Sequence, residues 1–272
     1  MKEKTMKDYK LHISSNKPHS IKEVVISFVV KPELEDLEGY EKLMSEGGSL
    51  HGKYNIFEKL NTVEKQFDSK NLQMKKERLY VSGFRFSDKA EDGTIRNVIQ
   101  GQTRNRIKSG LFTFHTLNYD GWTNFITSCI SDAKAIAGYK DIYEISEAGL
   151  LYIDEFYFAE GEYKPEQIFR VGSKHLPQGM FDSDIADYKL STNKNCGIGG
   201  YTDIFSIQVY NDLNKKTIRI TDDMHFGLQK ISLRNFLNDA DPEGLFRNFK
   251  EANHKLLKEV LCDNALSLIK LK

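Results

Sequence analysis

Three cysteines, five prolines and one tryptophan are spread through 272 residues. Cys129, Cys196 and Cys262 form no CxxC pair, and their odd number and wide spacing fit neither a zinc ribbon nor a disulfide framework. Free thiols in a reducing cytoplasm are the expectation. No long apolar run exists. The best, "VVISFVV" from Val24 to Val30, is broken by Ser27 and is far short of the ~20 residues a membrane helix needs. The opening "MKEKTMKDYK" has no apolar stretch behind its charges, so a secretory signal is not expected. Net charge is absent too: 39 basic residues face 39 acidic ones. A global field for nucleic acid or an anionic membrane is therefore excluded, and any such role needs a local patch. G-x-S-x-G, the phosphate-loop lysine motif and H-E-x-x-H are all missing, so no cofactor or metal is implied.

What is present can build a core: 39% apolar residues, with 17 Phe and 13 Tyr. "EVVISFVV" (Glu23 to Val30) reads as a strand stopped by Pro32. Leu34, Leu37, Tyr40 and Leu43 then take near-helical spacing, and "IFEKLNTVEKQF" (Ile56 to Phe67) continues that helical region. Arg78 to Phe86 is a strand, Asp92-Gly93 marks a turn, and two more strands lie around Gly110. From Trp122 the period changes. Phe125, Ile126, Cys129, Ile130, Ala133, Ile136 and Ala137 form a helical stripe, with Asn118 or Asp120 as its cap. In the second half, Ala148 to Phe158, Asp203 to Tyr210, "TIRI" from Thr217 and "HFGLQKISL" read as strands, and Pro242 opens a closing helix. Thr94 to Arg96 recurs as "TIR" 123 positions later, and Trp122 and Phe125 recur as Phe246 and Phe249 after 124. The expected fold is α+β: a duplicated strand, helix, three-strand, helix unit, with antiparallel meanders and helices packed on them. Its halves fall at 1–140 and 141–272.

Few residues look like chemistry. "TIRNVIQGQTRNRIKSG" holds Arg96, Arg104, Arg106 and Lys108 and no acid. As a strand it would align Arg104, Arg106 and Lys108 on one face, able to meet phosphates or to stand as a solvated edge. From Asp141 to Glu166 there are eight acids and one lysine, so the row has an internal or intersubunit counter-charge. His115, Tyr119 and Trp122 are either core residues at a strand-to-helix joint or the lining of a pocket between sheet and helix. Asp223 and His225 share a face if their strand extends that far, but spacing supplies no third metal ligand. Adjacent Asp154 and Glu155 face opposite ways and make a poor catalytic pair. The glycine-rich "NKNCGIGGYTD" enters a strand rather than a helix, so it reads as a loop, not a phosphate cradle.

Three segments carry a resemblance. "IKEVVISFVVKPELEDL", "LNYDGWTNF" and "EAGLLYIDEF" resemble, in order, the first strand, the tyrosine–tryptophan step and the central segment of a sporadically distributed bacterial family of uncharacterised proteins of similar length. Leu151 departs from the arginine that family often carries there. The resemblance implies an accessory gene linked to mobile elements or phage defence, and no activity to carry over. The reading from all of this is a non-catalytic binding or assembly protein, with a protein partner or self-association and no membrane. The alternative is a protein that binds nucleic acid, or processes it with a metal, through the basic row at 96–108.

Overall fold

The computed structural model describes residues 11–13, 19–37, 39–67, 74–104, 107–158, 163–182, 187–196, 199–212 and 215–271. It is a mixed α+β protein dominated by a large antiparallel sheet. The strands are β1 (Leu11–Ile13), β2 (Ile21–Lys31), β3 (Ile56–Phe67), β4 (Met74–Lys89), β5 (Ile95–Arg104), β6 (Ser109–Thr116), β7 (Glu144–Phe158), β8 (Asp187–Cys196), β9 (Gly199–Asp212) and β10 (Lys215–Ser232). The helices are α1 (Trp122–Tyr139), α2 (Gly179–Asp182), α3 (Leu233–Asp239), α4 (Pro242–Val260) and α5 (Asp263–Leu268). Among the described residues, no helix is long and apolar enough to cross a membrane.

The chain packs as two compact units, neither of them a contiguous half. One, the β3–β6 unit, is Val25–Gly149 with Gly227–Glu243. The other, the β8–β9 unit, is Met1–Val24, Leu150–Phe226 and Gly244–Lys272. Contiguous halves at 1–140 and 141–272 are thus not how the chain divides, because β2, β7 and β10 each contribute residues to both units.

In the β3–β6 unit the strand order is β3-β4-β5-β6-β2. Val25, Ile26, Phe28, Val29 and Val30 of β2 are all buried. Burial at successive positions means that both faces of the strand are covered, each such side chain being worth about 1.5–3 kcal/mol. β6 instead alternates, with Phe112 and Phe114 inward and Leu111, Thr113 and His115 half-exposed. An aromatic core follows: Tyr40 stacks on Phe84 at 4.3 Å, and its hydroxyl meets that of Tyr143 at 2.8 Å. Two glycines make room for this packing. A Cβ at Gly101 would lie 2.4 Å from the Phe84 ring, and one at Gly110 would lie 2.4 Å from Leu34 Cδ2.

The β8–β9 unit orders β7-β10-β9-β8, with β1 on β7. Phe205, Ile207, Ile218 and Ile220 meet Leu256, Leu257 and Val260 of α4 in one buried cluster. Pro242 is the first residue of α4, as the sequence predicts.

Several expectations change. Ile56 to Phe67 is not helical; it is strand β3, paired with β4 from Ile56↔Ser87 to Phe67↔Met74. Ile56, Leu60, Val63 and Phe67 have helical spacing, but a long cross-strand ladder outweighs local period. Of the helix expected over Leu34 to Leu43, only a 3-10 turn at Gly39–Leu43 forms. The first meander therefore has four strands where three were expected. "TIRI" and "HFGLQKISL" are one strand, β10. Of the region read as a glycine loop, residues 193–196 belong to β8 and 199–203 to β9, paired from Asp187↔Gln208 to Cys196↔Gly199; Gly197 and Ile198 lie outside the described residues. Helix α1 begins at Trp122, but Gly121 at φ 128° takes the cap position with no side-chain cap, while Asp120 accepts from Asn124 Nδ2 at 3.0 Å.

β3 is the terminal strand of its unit. The β4–β5 ladder covers only Gly83 to Lys89 of β4, whereas the β3–β4 ladder runs on to Met74. Beyond Gly83 the two strands form a ribbon. On it Val63 lies opposite Leu79, 45% and 67% exposed.

Candidate functional site

The basic row does not survive as a strand face. β5 ends at Arg104, and Lys108 sits in the following turn at φ 47°. Arg106 lies outside the described residues. A residue with positive φ between two strands belongs to a reversal, not to a ladder, so Lys108 cannot share the alternation of Arg104. Arg96 and Arg104 are eight residues of strand apart, roughly 26 Å, and the ladder slips register at Arg96, between Asp88↔Asn97 and Lys89↔Ile95. Arg96 is also engaged: its Nη2 lies 2.5 Å from Asp88 Oδ1, and Asn97 Nδ2 donates to the other carboxylate oxygen at 3.1 Å. The acidic stretch has partners of its own. Asp141 pairs with Arg234 at 2.7 Å, Asp154 accepts from Ser20 Oγ at 2.5 Å, and Glu155 accepts from Arg219 Nη2 at 2.6 Å. Asp154 and Glu155 thus bond separately, as strand alternation requires.

The structure does bring Arg96 and His115 to one place. A cleft of about 340 Å³ opens where the β4–β6 ends meet α1. Its wall includes Asp88, Arg96, Asn97, His115, Asp120 and Asn124, with Ser128, Cys129 and Asp132 on the helix side. His115 Nε2 is 2.8 Å from Thr113 Oγ1. Tyr119 and Trp122 do not line it. Tyr119 is buried 6.2 Å from the Phe125 ring, and Trp122 is partly buried 6.0 Å from the same ring. They are packing residues at the head of α1.

The deep end of the cleft is a network that sequence reasoning missed. Asp132 is buried on α1. Lys53 Nζ donates to its Oδ1 at 2.5 Å and to Ser128 Oγ at 3.0 Å, and Tyr54 OH donates to Oδ2 at 2.7 Å. Burial pushes the Asp132 carboxyl up, and Lys53 pulls it back. Burial, then Asp132, pushes the Tyr54 hydroxyl up. Burial also raises the Cys129 thiol well above its ordinary value, so it is protonated at neutral pH. One signal was legible: Asp132 sits on the buried stripe between Cys129 and Ile136, where a carboxylate needs a partner. Nothing in the loop marked Lys53 or Tyr54 as that partner.

A second polar cluster lies in the β8–β9 unit. Asp203 and Asp222 are both buried, diagonal across the β9–β10 ladder. Lys194 Nζ donates to Asp203 Oδ2, and Asn253 Nδ2 donates to Asp222 Oδ2 at 2.9 Å. Burial, then the neighbouring Asp203, holds Asp222 well above the carboxylate range. Asp222 thus keeps its proton at neutral pH. The acids of "TDDMHF" are therefore mid-strand, not a turn. Asp223 and His225 share the other face, 2.8 Å apart and both partly exposed; among the described residues no group of three or more metal-ligating side chains forms.

Matching the chain against protein-family models and against curated proteins returns no match.

Proposed function

We propose that this is a non-catalytic binding protein whose recognition site is the cleft between the β4–β6 ends and α1. The carrying observation is that the cleft's reactive-looking groups are already engaged: Asp132 by Lys53 and Tyr54, Asp88 by Arg96 and Asn97. The wall also carries Asn118, Asp120 and Asn124; Asn124 Nδ2 donates to Asp120 Oδ2 at 3.0 Å, and a carboxylate and an amide each keep hydrogen-bonding capacity beyond that one bond. Two ion pairs cancel, and Asp120 leaves one negative charge. The ligand class is a small neutral or singly cationic solute with several hydrogen-bonding groups. Calorimetric titration with ethanolamine, glucosamine and glycerol tests this. At least one should saturate, and Asn124→Leu should abolish that binding. Salt-sensitive binding of DNA or RNA, with no solute bound, would favour the nucleic-acid reading instead.

A second reading, self-association in the cytoplasm, is favoured by the ribbon. An exposed cross-strand apolar pair outside the main sheet is costly to leave in water. Leu79→Lys should then lower the subunit mass in solution.

We also read the fold as duplicated. In one unit β2 lies beside β6, the last strand of its meander, and α1 follows; in the other β7 lies beside β10, and α4 follows after α3, which belongs to the first unit. At an offset of 121, not the 124 that sets Trp122 and Phe125 on Phe246 and Phe249, Phe125 and Asp132 of α1 correspond to Phe246 and Asn253 of α4, all four buried. The recurring "TIR" starts β5 in one meander but β10 in the other, so it is not in register with this pairing of β6 with β10.

A further inference from the structure

The β8–β9 unit has its own cleft, of about 380 Å³, between β8, β9 and α4. Its lining differs in kind. Tyr201, Ala252 and Leu256 give an apolar wall, and Lys174, Lys194 and Lys255 stand around it. Each ammonium comes from a different element: the loop before α2, β8 and α4. Two of them are held in place. Lys194 is fixed by Asp203, itself almost wholly buried. Lys174 Nζ lies 3.1 Å from Glu259 Oε2, which also meets His175 Nε2 at 2.5 Å. Tyr188 OH anchors the same loop through the His175 carbonyl at 3.0 Å.

The charge balance follows from these pairs. Lys194 and Asp203 cancel, and Asp222, which burial holds in its protonated form, adds no charge. Lys174 and Glu259 also cancel. Lys255, one helical turn before Glu259 and exposed, leaves the cleft with a net positive charge. Lys194, held against the buried Asp203, loses little side-chain entropy when an anion arrives, which favours binding. Three donors around one mouth match a group with three acceptor oxygens and a charge near −2, which a phosphate monoester supplies and a carboxylate does not. The apolar wall provides for the rest of the molecule, and about 380 Å³ falls within the usual range for small-ligand sites, ~300–1,000 Å³.

We propose that this cleft binds the phosphate monoester of a small apolar or aromatic body. The test is calorimetric titration of the whole chain with phenyl phosphate, inorganic phosphate and benzoate. Phenyl phosphate should bind saturably, about tenfold more tightly than either of the others. Lys255→Ala should weaken it about tenfold, with the urea midpoint unchanged. Lys174→Ala should weaken it similarly. Asn124→Leu, in the other cleft, should leave it untouched. Absence of saturable phenyl phosphate binding at 10 mM overturns the proposal. So does binding that survives both lysine variants, or binding that Asn124→Leu removes.

Discussion

Asp132 of α1 and Asn253 of α4 belong to two different answers to a buried carboxyl. Each lies seven positions after a buried phenylalanine on its helix. The solutions differ. In the β3–β6 unit the carboxylate is on the helix, and an ammonium and a phenol come to it from the loop. In the β8–β9 unit both carboxyls are on the sheet, the helix offers only an amide, and a proton supplies the missing charge. A buried charge must be answered. It can be answered by a fixed cation, which does not titrate near neutrality, or by a proton, which does. The first ties the site to geometry and the second ties it to pH.

The comparison can be broken by mutation. The largest effect should come from the packing that frames both residues. Phe246→Ala, fully buried, should cost about 3–5 kcal/mol in urea unfolding. Trp122→Ala, partly exposed at the head of α1, should cost clearly less, about 2 kcal/mol. Equal losses would mean that the two helices are framed alike.

Next come the cations. Lys53→Met strands the Asp132 carboxylate against Tyr54 and Ser128, and should cost about 3 kcal/mol at pH 7. Lys194→Met should cost less, about 1–2 kcal/mol, because Asp222, which keeps its proton, can donate a hydrogen bond to the stranded carboxylate. A larger loss for Lys194→Met would reverse the assignment of cation and proton.

The pH prediction rests on Asp154. Burial raises the Asp154 carboxyl to about 6, from an ordinary value of 3.8. The folded chain therefore binds a proton that the unfolded chain has released. That contribution is fully present below about 4 and is lost as pH rises through about 6. Asp222, raised for a similar reason, acts in the same direction. Asp154→Asn should flatten the stability profile between pH 4 and 6 by roughly 2–3 kcal/mol. An unchanged profile would mean that Asp154 is ionised in the folded state. Least of all, Leu79→Lys should move stability by under ~0.5 kcal/mol, so that any change in subunit mass reports association and not unfolding.

Much of this was visible in the residues. The run from Val24 to Val30 announces a strand covered on both faces. The stripe from Trp122 to Ala137 announces α1, and Asp92-Gly93 announces the β4–β5 turn, where Thr94 N donates to Asp92 Oδ1 at 2.8 Å. β3 was misread because its apolar spacing fits a helix as well as a strand, and only β4 decides between them. β8, "DYKLSTNKNC", was missed because a polar edge strand has too few apolar residues to show alternation. The cleft was half legible. Arg96 and His115 were singled out for separate reasons and meet there, whereas Lys53 and Tyr54 are 79 and 78 positions from Asp132, a distance no local pattern spans. Yet Asp203 between Tyr201 and Phe205, and Asp222 between Ile220 and Met224, each interrupt an apolar row on a strand. That interruption is a signal in itself.

The terminal position of β3 has a consequence in isotope exchange. Among the described residues β3 is bonded on one side only, by β4, so every second amide points to the open edge. In deuterated buffer those amides should exchange quickly while their neighbours lag. β5 is bonded by β4 and β6 together from Asn97 to Gln102, and its amides there should all be slow. A sawtooth of rates along one strand and a plateau along the other would write out the strand order residue by residue, as a record in time.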